Sequence, residues 1–92
     1  MEHQVFIQPV DVEIELDRRL RRGDSLIVES RDMVRDGEIV VAEGESGPCV
    51  GQYTARTAEI VLYPLAWAGT PARVRRQDLH VRGVVIGVKS SL

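Results

Sequence analysis

Apolar and polar residues alternate along most of the chain, which is the period of a β-strand. Val12, Ile14 and Leu16 alternate with two glutamates, so one face should point to a core and the other to water. Short segments of this kind, separated by turn residues, predict a small, strongly curved all-β domain of about seven short strands. The predicted strands are residues 5–10, 12–16, 25–29, 38–42, 49–53, 60–65 and 79–89.

Three features refine this prediction. Pro9 lies inside the first strand and favours an edge or bulge position, because proline cannot donate to a sheet ladder. Gly83 and Gly87 interrupt the last strand and indicate a bulge or a close backbone approach. The same strand is apolar on both faces, so we expect both faces to be buried. The covering layer is either part of this chain's own sandwich or a second chain, and both alternatives stay open. The apolar residues concerned are Val81, Val84, Val85, Ile86 and Val88.

Composition excludes several classes of protein. The 92 residues fit a single domain, and 12 basic against 14 acidic side chains give a net charge of -2. Acidity argues against general binding to nucleic acids or membrane surfaces, and 4% aromatic residues argue against base stacking. One cysteine, Cys49, excludes an internal disulfide and a multi-cysteine metal site. We therefore expect a cytoplasmic domain without cofactor, metal or membrane segment.

Five segments, in order along the chain, resemble a known peptidase family. Residues 23–30 read Gly-Asp-Ser-Leu-Ile-Val-Glu-Ser, and residues 36–42 read Asp-Gly-Glu-Ile-Val-Val-Ala. With residues 5–10, 60–64 and 79–88, they resemble the C-terminal domain of the LexA, UmuD and phage-repressor self-cleaving serine peptidases. The resemblance covers nearly the whole chain, and UmuD looks nearest. It implies one such domain over residues 1–92.

The resemblance also implies where the catalytic residues should be. Family members use a serine nucleophile and a lysine general base, and their spacing places these at Ile14 and at Gly51 or Gln52. None of these three residues can perform that chemistry. Of the 12 basic residues 11 are arginine, which stays protonated, and the single lysine is Lys89 near the end of the chain. We therefore expect a catalytically degenerate domain that is not an enzyme.

Two other nucleophiles remain as alternatives. Ser25 lies in Gly-Asp-Ser-Leu, which is similar to the family's nucleophile motif in a different register. Cys49 lies near the missing lysine and would need His80 or His3 as its base. Either residue would make the chain an active self-cleaving peptidase, although a lone cysteine in a strand is more often a core residue.

Charged and aromatic residues suggest contact surfaces. Arg18, Arg19, Arg21 and Arg22 form a dense cluster that could bind an anion or an acidic protein partner. The alternative is a solvated turn neutralised by nearby aspartates. Direct nucleic acid contact is not expected. Trp67, the one tryptophan, is interpreted as a cap on the domain's own core or as an interface anchor.

Without its catalytic serine and lysine, a domain of this family would still be able to dimerise and to bind other proteins. We predict a homodimer and a regulatory role in the DNA-damage (SOS) response or in prophage control, with a DNA polymerase, a recombinase or a repressor as protein partner. The predicted interface is Val81, Val84, Val85, Ile86 and Val88. The chain is either complete, as Met1 favours, or the dimerisation domain of a repressor whose DNA-reading head is absent.

Overall fold

The computed structural model describes residues 4–45 and 47–90, and in this part of the chain it confirms the all-β class. The strands are short, and a 3₁₀ helix, Arg76–Asp78, precedes the last of them. The nine strands of the described residues are β1 (Val5–Pro9), β2 (Ile14–Glu15), β3 (Arg19–Leu20), β4 (Ser25–Glu29), β5 (Ile39–Gly44), β6 (Gly47–Thr54), β7 (Glu59–Pro64), β8 (Ala72–Arg75) and β9 (His80–Lys89). No helix in these two ranges is long and apolar enough to cross a membrane.

Seven strands form one antiparallel sheet, in the order β1-β4-β9-β5-β6-β7-β8. The strands β2 and β3 pair separately as a small hairpin. β1 lies at one edge of the sheet, where Pro9 pairs with Ser25 of β4, so the edge position predicted from Pro9 is confirmed. β9 is the third strand and has partners on both sides.

β9 contains two bulges, and each has a glycine next to it. Against β4, its pairing skips Ile86; against β5, its pairing skips Arg82. A Cβ atom at Gly83 would lie 2.7 Å from Cγ1 of Val28 and would also meet the carbonyl oxygen of Glu29. The predicted bulge and the predicted close backbone approach are therefore both present.

Two hydrophobic clusters lie on opposite faces of the sheet. Val40 and Val41 are consecutive in β5 and belong to different clusters, as the alternation of a strand requires. The β2–β3 hairpin covers the first face. The buried residues of the first cluster are Val10, Ile14, Leu20, Leu26, Val28, Ile39, Val41, Val50 and Leu65. Those of the second cluster are Val40, Ala42, Cys49, Ile60, Leu62, Val81 and Val84.

Some predicted details are corrected. The strand expected over residues 12–16 is reduced to Ile14–Glu15, and the pairs Arg19–Leu20 and Ala72–Arg75 form strands that were not predicted. Ile86 is 52% exposed, so the expectation that both faces of the last strand are buried is wrong at this residue. The bulge at Ile86 explains this, because it takes the residue out of the regular inward alternation.

Candidate functional site

The position expected for the nucleophile is part of the core. Ile14 is 5% exposed and pairs with Leu20 across the hairpin. Its neighbours Glu13 and Glu15 are exposed, and Arg19 forms ion pairs with both of them at 3.3 and 3.4 Å. The hairpin thus buries the side chain of Ile14 and exposes a cluster of paired charges. No hydroxyl is present at Ile14.

The position expected for the lysine base has no room for a side chain if it is Gly51. A Cβ atom there would lie 2.5 Å from Cγ2 of Ile60 and would also meet the carbonyl oxygen of Val61. The other candidate, Gln52, has an amide group that donates to the carbonyl oxygen of Gly37 at 3.0 Å. A lysine at Gly51 would therefore displace the neighbouring strand β7.

The two candidate positions also face opposite sides of the sheet. Gln52 pairs with Ile39 of the first cluster, whereas Gly51 pairs with Val40 of the second cluster. Because paired residues point to the same side of an antiparallel sheet, only Gln52 shares a face with Ile14. Its side chain is an amide, which cannot act as a lysine-type base.

Cys49 does not have the surroundings of a nucleophile. It is 9% exposed, and its thiol donates to the carbonyl oxygen of Gly47 at 3.7 Å. Burial raises the pKa of this thiol, and the charge of Glu43 raises it further. The described residues show no hydrogen bond between Cys49 and His80, which is exposed, and His3 lies outside those residues. Within the same ranges no group of three potential metal ligands occurs.

Ser25 and Lys89 are brought together by the sheet. They are direct cross-strand partners at the end of the β4–β9 ladder, with Pro9 on the other side of Ser25. Ser25 is half-buried and Lys89 is exposed. A lysine that serves as a general base is normally enclosed by the fold, whereas the Ser25–Lys89 pair lies at the end of a ladder. This neighbourhood depends on long-range pairing, so no local motif could have predicted it.

The arginine cluster lies on and around the β2–β3 hairpin and is exposed. Arg19 is engaged with the two glutamates of the hairpin. Asp24 is almost buried and accepts a hydrogen bond from the backbone N–H of Arg21 at 2.9 Å, so it stabilises the turn instead of neutralising a guanidinium. Ion pairs of Arg18, Arg21 and Arg22 are absent from the described part of the chain. Their contact with an anion or an acidic partner stays a prediction.

The five residues predicted for a dimer interface do not share one environment. Val81 and Val84 are 7% and 1% exposed and belong to the second cluster, so they offer no surface to a second copy. Val85 and Val88 are half-buried and pack against the first cluster. Ile86 is exposed. Because both edges of β9 are already paired, this strand can contribute to an interface only through its exposed side chains.

Ile86 is one of four exposed or half-buried apolar residues of β1, β4 and β9, which we call the outer apolar patch: Val5, Ile7, Ile27 and Ile86. Ile7 pairs with Ile27 across β1 and β4, and Ile27 pairs with Gly87 of β9. A Cβ atom at Gly87 would lie 3.4 Å from Cδ1 of Ile27, so the glycine leaves space for that side chain. Val5 and Ile7 are each 54% exposed. The sequence contained these residues, but it could not show that Ile7 and Ile27 are cross-strand partners.

Comparison with known proteins finds a similar repressor. Over 86 residues, 92% of this chain, the sequence is 37% identical to a LexA repressor of Koribacter versatilis (strain Ellin345). The chain is therefore similar to a LexA repressor, as its sequence motifs indicated. It spans 41% of that repressor's length. No protein-family profile matches the chain, and no solved structure matches it. A closer relation to UmuD stays a prediction.

Proposed function

We propose that this chain is a non-catalytic LexA/UmuD-like module that forms a homodimer through its outer apolar patch and acts in SOS or prophage regulation. The observation that carries the proposal is the patch itself: Val5, Ile7 and Ile86 are each about half exposed. Val5 and Ile7 lie on one face of β1, and Ile86 lies at the bulge of β9, the strand that pairs with β4. Similarity to a repressor supports the regulatory context.

The patch fits a face-to-face contact better than an added strand. Pro9 interrupts the free edge of β1, because its nitrogen has no hydrogen to donate to a further strand. In a two-fold symmetric contact the same residues are buried on both copies. Covering the exposed half of one aliphatic side chain contributes about 1 kcal/mol, so the residues of two copies together offset part of the free-energy cost of association.

The absence of catalysis is supported by three positions. Ile14 is a core residue, a side chain at Gly51 would collide with β7, and Gln52 carries an amide. A serine–lysine mechanism needs a hydroxyl and a desolvated amine within hydrogen-bond reach of each other. None of the three residues supplies either group.

Sedimentation equilibrium over a range of protein concentrations tests the dimer. We expect the wild type to dimerise, and Ile7→Glu and Ile86→Glu to sediment as monomers with unchanged circular dichroism. Met33→Glu is the matched control, because Met33 is 80% exposed and lies outside the patch. A wild type that stays monomeric at high micromolar concentration, or patch variants that remain dimers, would contradict the proposal.

A second candidate is the dimerisation domain of a DNA-binding repressor. It is favoured by the similarity to a LexA repressor of which this chain spans 41%. The coding sequence upstream of Met1 tests it. An open frame that continues upstream into a helix-turn-helix motif would support the repressor, whereas a stop codon directly before Met1 would favour a stand-alone module.

A further inference from the structure

A groove of about 520 Å³ lies on the second face of the sheet, and its lining residues differ from those of the outer apolar patch. Its walls come from β6, β7, β8 and the 3₁₀ helix, and its apolar surface includes Leu62, Pro64, Val74 and Leu79. This volume lies within the range of sites that take a single large side chain or a small ligand. The groove shares no residue with the proposed dimer surface.

The charged groups that line the groove are all acidic. Glu43, Glu45 and Asp78 are exposed, and no basic side chain is among the lining residues. Glu43 forms an ion pair with Arg82 at 3.1 Å, so its charge is partly compensated. Ion pairs of Glu45 and Asp78 are absent from the residues that the structure describes. The groove therefore favours a positively charged occupant.

Trp67 stands at the rim of the same groove. It is 48% exposed, although tryptophan usually buries most of its ring. A Cβ atom at Gly69 would lie 2.5 Å from Cη2 and 2.9 Å from Cε3 of the indole, so the ring rests directly on the glycine backbone. Gly69 thus permits the ring to lie against the backbone in the lining of the groove, and part of the aromatic surface remains open to a ligand.

We propose that this groove binds an arginine side chain of an extended partner peptide. The guanidinium stacks on Trp67 and pairs with Glu45 and Asp78, while the aliphatic part of the side chain lies on Leu62 and Leu79. Arginine fits better than lysine, because its planar group both stacks on aromatic rings and forms forked hydrogen bonds to carboxylates. This inference does not depend on the proposed dimer, since the two surfaces are separate.

The emission of Trp67 reports binding directly, because it is the protein's one tryptophan. The probe is the peptide acetyl-Ala-Leu-Arg-Leu-Ala-amide, compared with peptides that carry glutamine or glutamate in place of arginine. We expect the arginine peptide to change the emission and to bind about fivefold or more tightly than the glutamine peptide. Raising the salt concentration to about 0.5 M should weaken its binding.

Variants locate the site. Glu45→Gln and Asp78→Asn should each lower the affinity for the arginine peptide about two- to fivefold. Asp17→Asn removes the same charge from an exposed residue outside the groove and should leave this affinity unchanged. Equal affinity for the three peptides, or an equal effect of Asp17→Asn, would overturn the proposal. Emission that changes on dilution of Ile86→Glu without peptide would assign the groove to a second copy of the chain and would also overturn it.

Discussion

Ser25 of β4 and Lys89 of β9 are direct cross-strand partners, so the chain's one lysine lies opposite the serine of its Gly-Asp-Ser motif. Side chains in such pairs are about 4.5–5.5 Å apart at Cβ, which is close enough for a hydrogen bond between long side chains. The pair nevertheless lies at the end of the ladder, and Lys89 is exposed. The two residues are neighbours, but the lysine side chain lies in solvent and not in an enclosed site.

We therefore predict that the protein does not cut itself and that Ser25 is not reactive. After prolonged incubation at about pH 9, where lysine-dependent cleavage would be favoured, the intact mass should be unchanged. A fluorophosphonate probe should leave Ser25 unmodified. The result that would count against this prediction is a fragment that appears in the wild type and disappears in both Ser25→Ala and Lys89→Gln.

The alternation of apolar residues predicted most of the sheet, because a buried face requires period two. It did not predict β3 or β8. β3 is only two residues long, and β8 contains a single large apolar residue, Val74, between two arginines. Such short, polar strands are held by their pairing with β2 and β7, which depends on tertiary contacts and leaves little local pattern.

The candidate surfaces were less predictable than the fold. Val84 and Ile86 look alike in sequence, yet one is buried in the second cluster and the other is exposed beside a bulge. The groove is lined by Trp67 and Asp78 together with Glu45, which is distant from both in sequence. Sequence order gives the residues of a strand, whereas the pairing of strands and the positions of bulges decide which side chains meet.

Gly83 and Gly87 provide a matched pair for testing the packing of β9. A Cβ atom at Gly83 would collide with the backbone of Glu29 and with Val28, whereas at Gly87 the nearest contact is an ordinary 3.4 Å to Ile27. We expect Gly83→Ala to lower the free energy of unfolding by about 1–3 kcal/mol through overpacking. Gly87→Ala should change it by less than about 1 kcal/mol in either direction.

Urea denaturation followed by circular dichroism measures both variants. Ile27→Ala combined with Gly87→Ala serves as an additional control for that contact. Equal destabilisation by the two glycine substitutions would mean that the close approach at Gly83 does not limit the packing of the strand.

We predict that the carboxyl group of Glu38 makes the free energy of unfolding depend on pH. Partial burial tends to raise the pKa of this carboxyl, but hydrogen bonds from the backbone N–H of Arg35, at 2.6 Å, and from the guanidinium of Arg31 outweigh it and hold the pKa below its ordinary value of 4.5. Since the native state favours the charged form of Glu38, the carboxylate stabilises the fold, and this stabilisation is complete above the ordinary pKa. It is lost as the pH falls through the lower native pKa.

Wild type and Glu38→Gln should therefore differ in unfolding free energy near neutral pH and converge in strongly acidic solution. Parallel urea titrations over the acidic range measure this convergence. Arg31→Gln should reduce the difference, because it removes the guanidinium that pairs with Glu38 and helps to lower the pKa of that carboxyl. A difference between wild type and Glu38→Gln that stays constant with pH would show that the carboxylate charge does not contribute to stability.

The thiol of Cys49 should react slowly in the folded protein. Burial raises its pKa above the ordinary value of 9.0, and the charge of Glu43 raises the pKa further, so less thiolate forms near neutral pH. We expect iodoacetamide at about pH 8 to label native Cys49 much more slowly than the urea-unfolded chain. Glu43→Gln should lower the pKa and increase the rate in the folded state, whereas Asp17→Asn should not, since that residue is not among the groups that shift the thiol. Native labelling as fast as that of the unfolded chain would contradict the burial of this residue and would restore Cys49 as a nucleophile to be considered.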